Sequence, residues 1–120
     1  MNHHVPPPDE ELSGRLLGAV PYRDRLPAGR LMPPVGMLRE DVRSLQELHL
    51  LLTPDARSLP GLNLNALSEW VGRTLGDNDL ARIVNEVSNS AESYAEACLA
   101  LFELVGLRLQ QARQVLGHTA

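Results

Sequence analysis

Lysine is absent from this chain, and all eleven of its basic residues are arginine. Without lysine the protein cannot form a Schiff base, use a phosphate-loop lysine or offer a lysine general base. A single cysteine, Cys98, excludes an internal disulfide and a cysteine-rich zinc site. Aromatic residues make up only 3% and β-branched residues are sparse, a balance that favours helices over strands.

Long apolar runs and strong charge are also missing. The longest apolar run, residues 97–102, is far too short to span a bilayer, and residues 1–11 lack the basic and apolar regions of a signal peptide. The formal net charge of −4 is too mild to favour nucleic acid. We therefore expect a soluble, cytoplasmic protein with no membrane partner.

No arrangement of polar residues indicates catalysis or metal binding. His49 lies beside a helical apolar stripe, and the other histidines lie near the chain ends: His3, His4 and His118. Residues 77–79 resemble the start of a calcium loop, but the glycine and bidentate glutamate needed downstream are missing. The sequence therefore predicts no catalytic, cofactor-binding or metal-binding residue.

Seven of the nine prolines fall within the first 34 residues. Asp9 can cap a short helix that reaches Val20, but the prolines from Pro21 to Pro34 exclude a helix of useful length. We predict that residues 1–41 are an extended arm and that residues 42–120 are a helical domain. The arm is locally basic, with five arginines and one acid in residues 12–39, whereas residues 42–120 carry six arginines and nine acids.

Helical periodicity continues through residues 42–120. Apolar spacing predicts helices over residues 41–52, after a cap at Asn63 or Asn65, after a cap at Asp77, and over residues 90–116. We predict an all-α fold, a small bundle of about four helices with a long C-terminal helix and a Pro-rich N-terminal arm.

The last predicted helix is apolar on most sides and must be covered. Three short helices can wrap one end of it, so the rest needs the arm or a second chain. A homo-oligomer or a protein partner is therefore expected, with nucleic acid less favoured. The candidate partner contacts lie in the arm and the last helix: Tyr22, Arg23, Arg25, Leu26, Arg30, Leu31, Met32, Leu101, Val105 and Leu109.

The centre of the chain carries one recognisable pattern, Leu67-x-x-Trp70-x-x-x-x-Leu75-Gly76-Asp77-x-x-Leu80-Ala81. With Ser-Leu-Gln-Glu-Leu at residues 44–48 and Arg-Leu-Gln-Gln at 108–111, it resembles a small prokaryotic helical domain family of unknown function. The similarity extends over residues 37–115. It implies a helical fold and, because that family has no assigned activity, it implies no function.

Three functions are compatible with these features. The first is a non-enzymatic interaction or assembly module, such as an accessory subunit of a larger complex, that docks through the arm and the last helix. The second is a DNA-associated regulator that uses the basic arm. The third is a small all-α enzyme with an active site at a subunit interface, which the missing chemistry makes the weakest of the three.

Overall fold

The structure, a computed structural model, describes residues 5–117; His3, His4 and His118 lie outside this range. Its five α-helices within that range are α1 (Glu10–Leu17), α2 (Leu45–Leu52), α3 (Leu64–Glu69), α4 (Asn78–Ser90) and α5 (Tyr94–Val115). Its three strands there are β1 (Gly29–Met32), β2 (Gly36–Arg39) and β3 (Leu59–Gly61).

Side-chain caps define where most helices begin. Asp9, Asn63 and Asp77 each accept a hydrogen bond from the backbone N–H three residues on. The sequence predicted the caps at Asp9 and Asp77, and Asn63 is one of the two alternatives it offered for α3. The last helix begins later than expected, because Ser93 caps it and α4 continues through Ser90. The helix expected over residues 41–52 is also shorter, since Ser44 caps α2 and Val42 instead forms a β-bridge with Leu26.

The prediction of an all-α fold is wrong, because the described chain is mixed α/β. β1 is the central strand of an antiparallel sheet in the order β2-β1-β3. Residues 33–35 connect β1 to β2, and Gly36 closes this turn with a φ of 105°, a backbone conformation that favours glycine. The prolines do exclude a long helix, but the chain they break pairs into a hairpin.

One hydrophobic core joins both parts of the described chain. Helix α5 packs against α1, α2 and α4, so a helix from the first 20 residues covers apolar surface that we expected to need the arm or a second chain. Val5, Leu16 and Leu26 are buried in the same core as Trp70. Residues 5–41 are therefore not an extended arm, since they contribute a helix, two strands and core side chains.

Trp70 connects the hairpin region to the helices. It begins a π-helical turn, Trp70–Thr74, that continues α3, and its side chain is buried. Its indole Nε1 donates a hydrogen bond of 2.8 Å to the backbone carbonyl of Asp24. Because a buried indole N–H needs an acceptor, this bond fixes the short 3₁₀ turn Tyr22–Asp24 against the core.

Candidate functional site

Strand β2 lies at an open edge of the sheet. Within residues 5–117 it pairs only with β1, and its four residues are all exposed. An edge strand presents unpaired backbone N–H and C=O groups, which makes it a template for pairing with another chain. This edge is the most prominent candidate binding surface of the molecule.

The hydrogen-bond pattern identifies which groups of β2 are directed outward. Leu26 and Val42 exchange two backbone hydrogen bonds, of 2.8 and 2.9 Å, just beyond the ends of β1 and β2. Bonded and non-bonded pairs alternate along an antiparallel ladder. By the register, Leu38 and Gly36 then belong to bonded pairs, whereas Met37 and Arg39 direct their backbone N–H and C=O groups away from β1.

Exposed apolar side chains accompany these backbone groups. Val35 is 72% exposed and Met37 is 55% exposed, and Leu38 is exposed on the opposite face of the same strand. We call β2 with the side chains of Val35, Met37 and Leu38 the hairpin edge. Exposed apolar side chains therefore lie on both faces of this strand, beside its outward-directed backbone groups.

Two glycines shape the face on which Met37 lies. A Cβ built on Gly29 would lie 2.5 Å from the sulfur of Met37, and one built on Gly61 would lie 2.4 Å from its terminal methyl group. The Met37 side chain therefore runs across the sheet over bare backbone. Because methionine is unbranched and flexible, this side chain can adapt its shape to a partner.

A groove of about 640 Å³ lies at the tip of the hairpin. The hairpin tip forms one wall and the segment before β3 forms the other, with these lining residues: Leu31, Met32, Pro33, Pro34, Gly36, Asp55, Ala56, Arg57, Ser58 and Leu59. Most of these side chains are apolar. Gly36 belongs to both the groove and the hairpin edge, so the two surfaces are continuous.

Asp55 is the acidic residue of this groove, and its carboxylate is held by the local backbone. It accepts hydrogen bonds from the Arg57 N–H at 2.9 Å and from the Ser58 hydroxyl at 3.3 Å. The Arg57 N–H is the main cause of a lowered Asp55 pKa; burial opposes this, and Ser58 supports it. The carboxylate therefore organises the groove wall.

The arginines near the hairpin edge are paired within the chain. Asp41 accepts hydrogen bonds from Arg25 at 2.9 Å and from Arg39 at 3.1 Å. Arg30 donates to Glu40 at 3.0 Å. Burial by itself would raise the pKa of Asp41, but the bonds from Arg25, the Ala28 N–H and Arg39 outweigh it and lower the pKa. The basic character expected of the arm is thus largely neutralised locally.

The predicted partner contacts fall into three groups. Tyr22 and Arg23 are exposed, and the guanidinium of Arg25 lies 3.9 Å from the centre of the Tyr22 ring. Arg30, Leu31 and Met32 are half-buried in β1. The remaining four side chains fill the core of the single chain: Leu26, Leu101, Val105 and Leu109. As contacts in a complex all ten stay predictions; Leu31 and Met32 also line the groove at the hairpin tip.

Sequence reasoning missed the residues that form the hairpin edge. Val35, Met37 and Leu38 were assigned to the arm, but none was selected as a contact. A signal was available, because residues 30–32 and 36–39 are short apolar-containing runs separated by Pro33, Pro34 and Val35. Short runs separated by three to five turn residues are typical of a hairpin.

Tyr94 and Cys98 carry potentially reactive groups, but the contacts of these two side chains give them a structural role. The Tyr94 hydroxyl donates to the Pro60 carbonyl and accepts from the Leu62 N–H, which ties β3 to α5. Burial raises the pKa of Tyr94 to about 12 and also raises the pKa of the nearby Cys98 thiol. Both groups therefore remain protonated at neutral pH.

Among residues 5–117, no three His, Cys, Asp or Glu side chains are grouped so that they could hold a metal ion. Over the same residues, no helix has both the length and the apolar character needed to cross a membrane.

Comparison with family models, with curated proteins and with solved structures found no match to this chain. The resemblance to the prokaryotic helical family therefore stays a prediction.

Proposed function

We propose that this protein is a non-enzymatic interaction module that binds other protein chains through its hairpin edge. The observation that carries the proposal is the open side of β2, where Met37 and Arg39 direct their backbone groups outward beside exposed apolar side chains. We keep the cytoplasm as its expected location.

Strand addition is the binding mode that fits this surface. An extended segment that pairs with β2 gains affinity from main-chain hydrogen bonds and specificity from pockets for alternate side chains. Met37 and Leu38 provide apolar contacts on the two faces of the enlarged sheet. The groove at the hairpin tip offers space for a further apolar side chain of the partner.

Charge pairing favours a protein partner over nucleic acid. A phosphate-binding surface needs arginines that are available to neutralise phosphates. Here Arg25 and Arg39 already bond to Asp41, and Arg30 bonds to Glu40. Binding DNA through these side chains would require breaking the existing ion pairs, so we prefer the interaction module to the DNA-associated regulator.

The substitution Met37→Pro tests whether a partner chain binds at the open side of β2. Because the Met37 N–H is directed away from β1, Met37→Pro removes a donor from the open edge without removing a ladder bond of the hairpin. Leu50→Glu is the matched control, since Leu50 is an exposed apolar residue on α2. Native mass measurements on the tagged protein, purified from cells that naturally make it, would report bound partners.

We expect the unchanged chain and Leu50→Glu to retain a stoichiometric protein partner, and Met37→Pro to lose it while keeping its circular dichroism spectrum. Equal retention of the partner by both variants would place the binding surface elsewhere. A single chain without a partner, of 13.2 kDa plus the mass of the tag, in every preparation would contradict the proposed function.

A further inference from the structure

The open side of β2 can pair with the same strand of a second copy across a two-fold axis. Residues that form a hydrogen-bonded pair in an antiparallel ladder must both direct their backbone groups toward the partner strand. On the open side of β2, Met37 and Arg39 meet this condition. Two copies of β2 can therefore pair across a two-fold axis with Met37 opposite Met37, each donating to the carbonyl of the other.

We propose, as a closer definition of the proposed function above, that a second copy of this chain occupies the edge in this register. The two sheets then join into one six-stranded antiparallel sheet. Such an interface is isologous, which is the commonest arrangement in homodimers. In this register the two Met37 residues lie directly opposite each other, with their side chains on the same face of the joined sheet as Gly29 and Gly61.

Side-chain sizes are complementary in this register. Directly opposite residues have indices that sum to 74, so Leu38 of each copy lies opposite Gly36 of the other. A large apolar side chain thus lies beside a residue without one, on the face opposite Met37. Arg39 then lies beside the turn of the other copy, where the exposed side chain of Val35 can contact the aliphatic part of the arginine.

Charge repulsion also favours the register with Met37 opposite Met37 over the register shifted by two residues. Each Arg39 lies two residues from the two-fold axis in opposite directions, which separates the two by about 14 Å, beyond the screening length at physiological salt. A shift that places Met37 opposite Arg39 would bring the two Arg39 residues to diagonal positions about 7–8 Å apart. Like charges at that distance disfavour the shifted pairing.

The same charge pairs favour a second copy over an acidic partner segment. Asp41 already binds Arg25 and Arg39, and Glu40 binds Arg30, so these three arginines of the hairpin are engaged within the chain rather than available to select an acidic segment. The groups that do lack partners there are apolar side chains and backbone groups, and the second copy supplies both. Because four-residue strands bury little area, the dimer should dissociate on dilution.

A charge-swap experiment tests the register. Met37→Glu and Met37→Lys each place two like charges directly opposite at the axis, whereas a mixture of the two variants places opposite charges there. Sedimentation of the full chain over a roughly hundredfold concentration range would measure the average mass. Leu50→Glu again controls for the loss of an exposed apolar residue.

We expect the average mass of the unchanged chain and of Leu50→Glu to rise with concentration from 13.2 kDa toward twice that value. Each Met37 variant alone should stay at the monomer mass, and the mixture should regain the dimer. Amide hydrogen exchange should show Met37 becoming protected as concentration rises, with Leu38 protected throughout.

Three results would overturn self-pairing: a monomer at every concentration, a dimer that persists in both Met37 variants, or a mixture that stays monomeric. These outcomes are distinct from failure of the proposed function. If the isolated chain is monomeric but Met37→Pro still loses a different protein in the capture experiment, the edge binds an extended segment of that protein instead. If neither binding is found, both proposals are wrong.

Discussion

Arg108 and Asp77 form a fully buried ion pair between α5 and the start of α4. Nε of Arg108 lies 2.8 Å from Oδ2 of Asp77, Nη2 lies 3.0 Å from Oδ1, and the two side chains are 1% and 0% exposed. Arg108 also donates to the carbonyl of Pro6, and Gln111 donates to the carbonyl of Val5. One charged network thus joins two helices to the N-terminal segment.

Removing one member of this pair should destabilise the protein strongly. Arg108→Met keeps an apolar stem but leaves the Asp77 carboxylate buried without its cation, a change that typically costs about 3–5 kcal/mol. Urea unfolding followed by Trp70 fluorescence would measure the loss. The control is Arg82→Met, because Arg82 forms an exposed ion pair with Glu86 at 3.0 Å, for which we expect a loss below about 1 kcal/mol. Equal losses for the two variants would contradict the prediction.

Deleting residues 1–34 should unfold the chain. The deletion removes α1 from its contact with α5, takes Leu16 and Leu26 out of the core and removes the carbonyl that binds the Trp70 indole. Truncating a single large core side chain already costs about 2–5 kcal/mol, and small domains have only about 5–15 kcal/mol in total. Circular dichroism during heating would report the transition. Deleting residues 1–4 is the control, since it spares all of these groups, and a cooperative transition after the longer deletion would contradict the prediction.

Features that depend on local chemistry were predictable from the sequence. Asp9 and Asp77 were recognised as caps, and Asn63 as one of two candidates, because a cap requires only a suitable side chain and the N–H groups of the following turn. The starts of α2 and α5 were predicted too early for an equally local reason. Ser44 and Ser93 cap these helices, and the residues upstream of each serine were included in the predicted helix instead.

The β1–β2 hairpin had a local signal that was missed, but its pairing with β3 was not predictable by the same reasoning, because that pairing is non-local. The strands of the sheet are only three or four residues long, and the third pairs with Gly29–Met32 across a gap of 26 residues that contains α2. Pro33, Pro34 and Gly36 were interpreted as interruptions of a helix, whereas they form the end of a hairpin. The residues of the hairpin edge were missed for the same reason, since Met37 gains its proposed role only from its position in an edge strand.

His49 should make stability sensitive to mild acid. Its ring stacks on Phe102 with a centroid distance of 4.5 Å, and a Cβ built on Gly106 would lie 2.9 Å from its Nε2. Burial, and then the positive charge of Arg113, lower the pKa of His49 below its ordinary value. The folded state therefore favours the neutral ring. This contribution to stability is fully present above the unfolded-state pKa of about 6.5 and is lost as the pH falls through the lower folded-state pKa.

Urea unfolding between neutral pH and about pH 5 would measure this effect. Stability should fall more steeply for the unchanged chain than for His49→Gln, and the difference isolates His49 from the carboxylates. Arg113→Gln should raise the pKa of His49, which nuclear magnetic resonance can follow directly. Parallel pH profiles for the unchanged chain and His49→Gln would show that the ring does not contribute.

Ser13 offers a stabilising substitution. Its side chain is buried on α1, and its hydroxyl oxygen has no hydrogen-bond partner within the part of the chain that the structure describes. A buried polar group without a partner costs about 1–3 kcal/mol, and alanine also has the higher helix propensity. Removing one oxygen leaves only a small void, so we expect Ser13→Ala to raise the free energy of unfolding by about 1 kcal/mol.

Ser68→Ala is the matched control for this substitution, because Ser68 is also helical but its hydroxyl donates to the Ala81 carbonyl at 2.9 Å. The gain in helix propensity is shared by the two variants, whereas the loss of a satisfied hydrogen bond applies only at Ser68 and costs about 1 kcal/mol. Urea unfolding of both variants should therefore give changes that differ by roughly 2 kcal/mol in favour of Ser13→Ala. If Ser13→Ala is instead as destabilising as Ser68→Ala, the Ser13 hydroxyl must have a partner in solution, such as a buried water molecule, that compensates its burial.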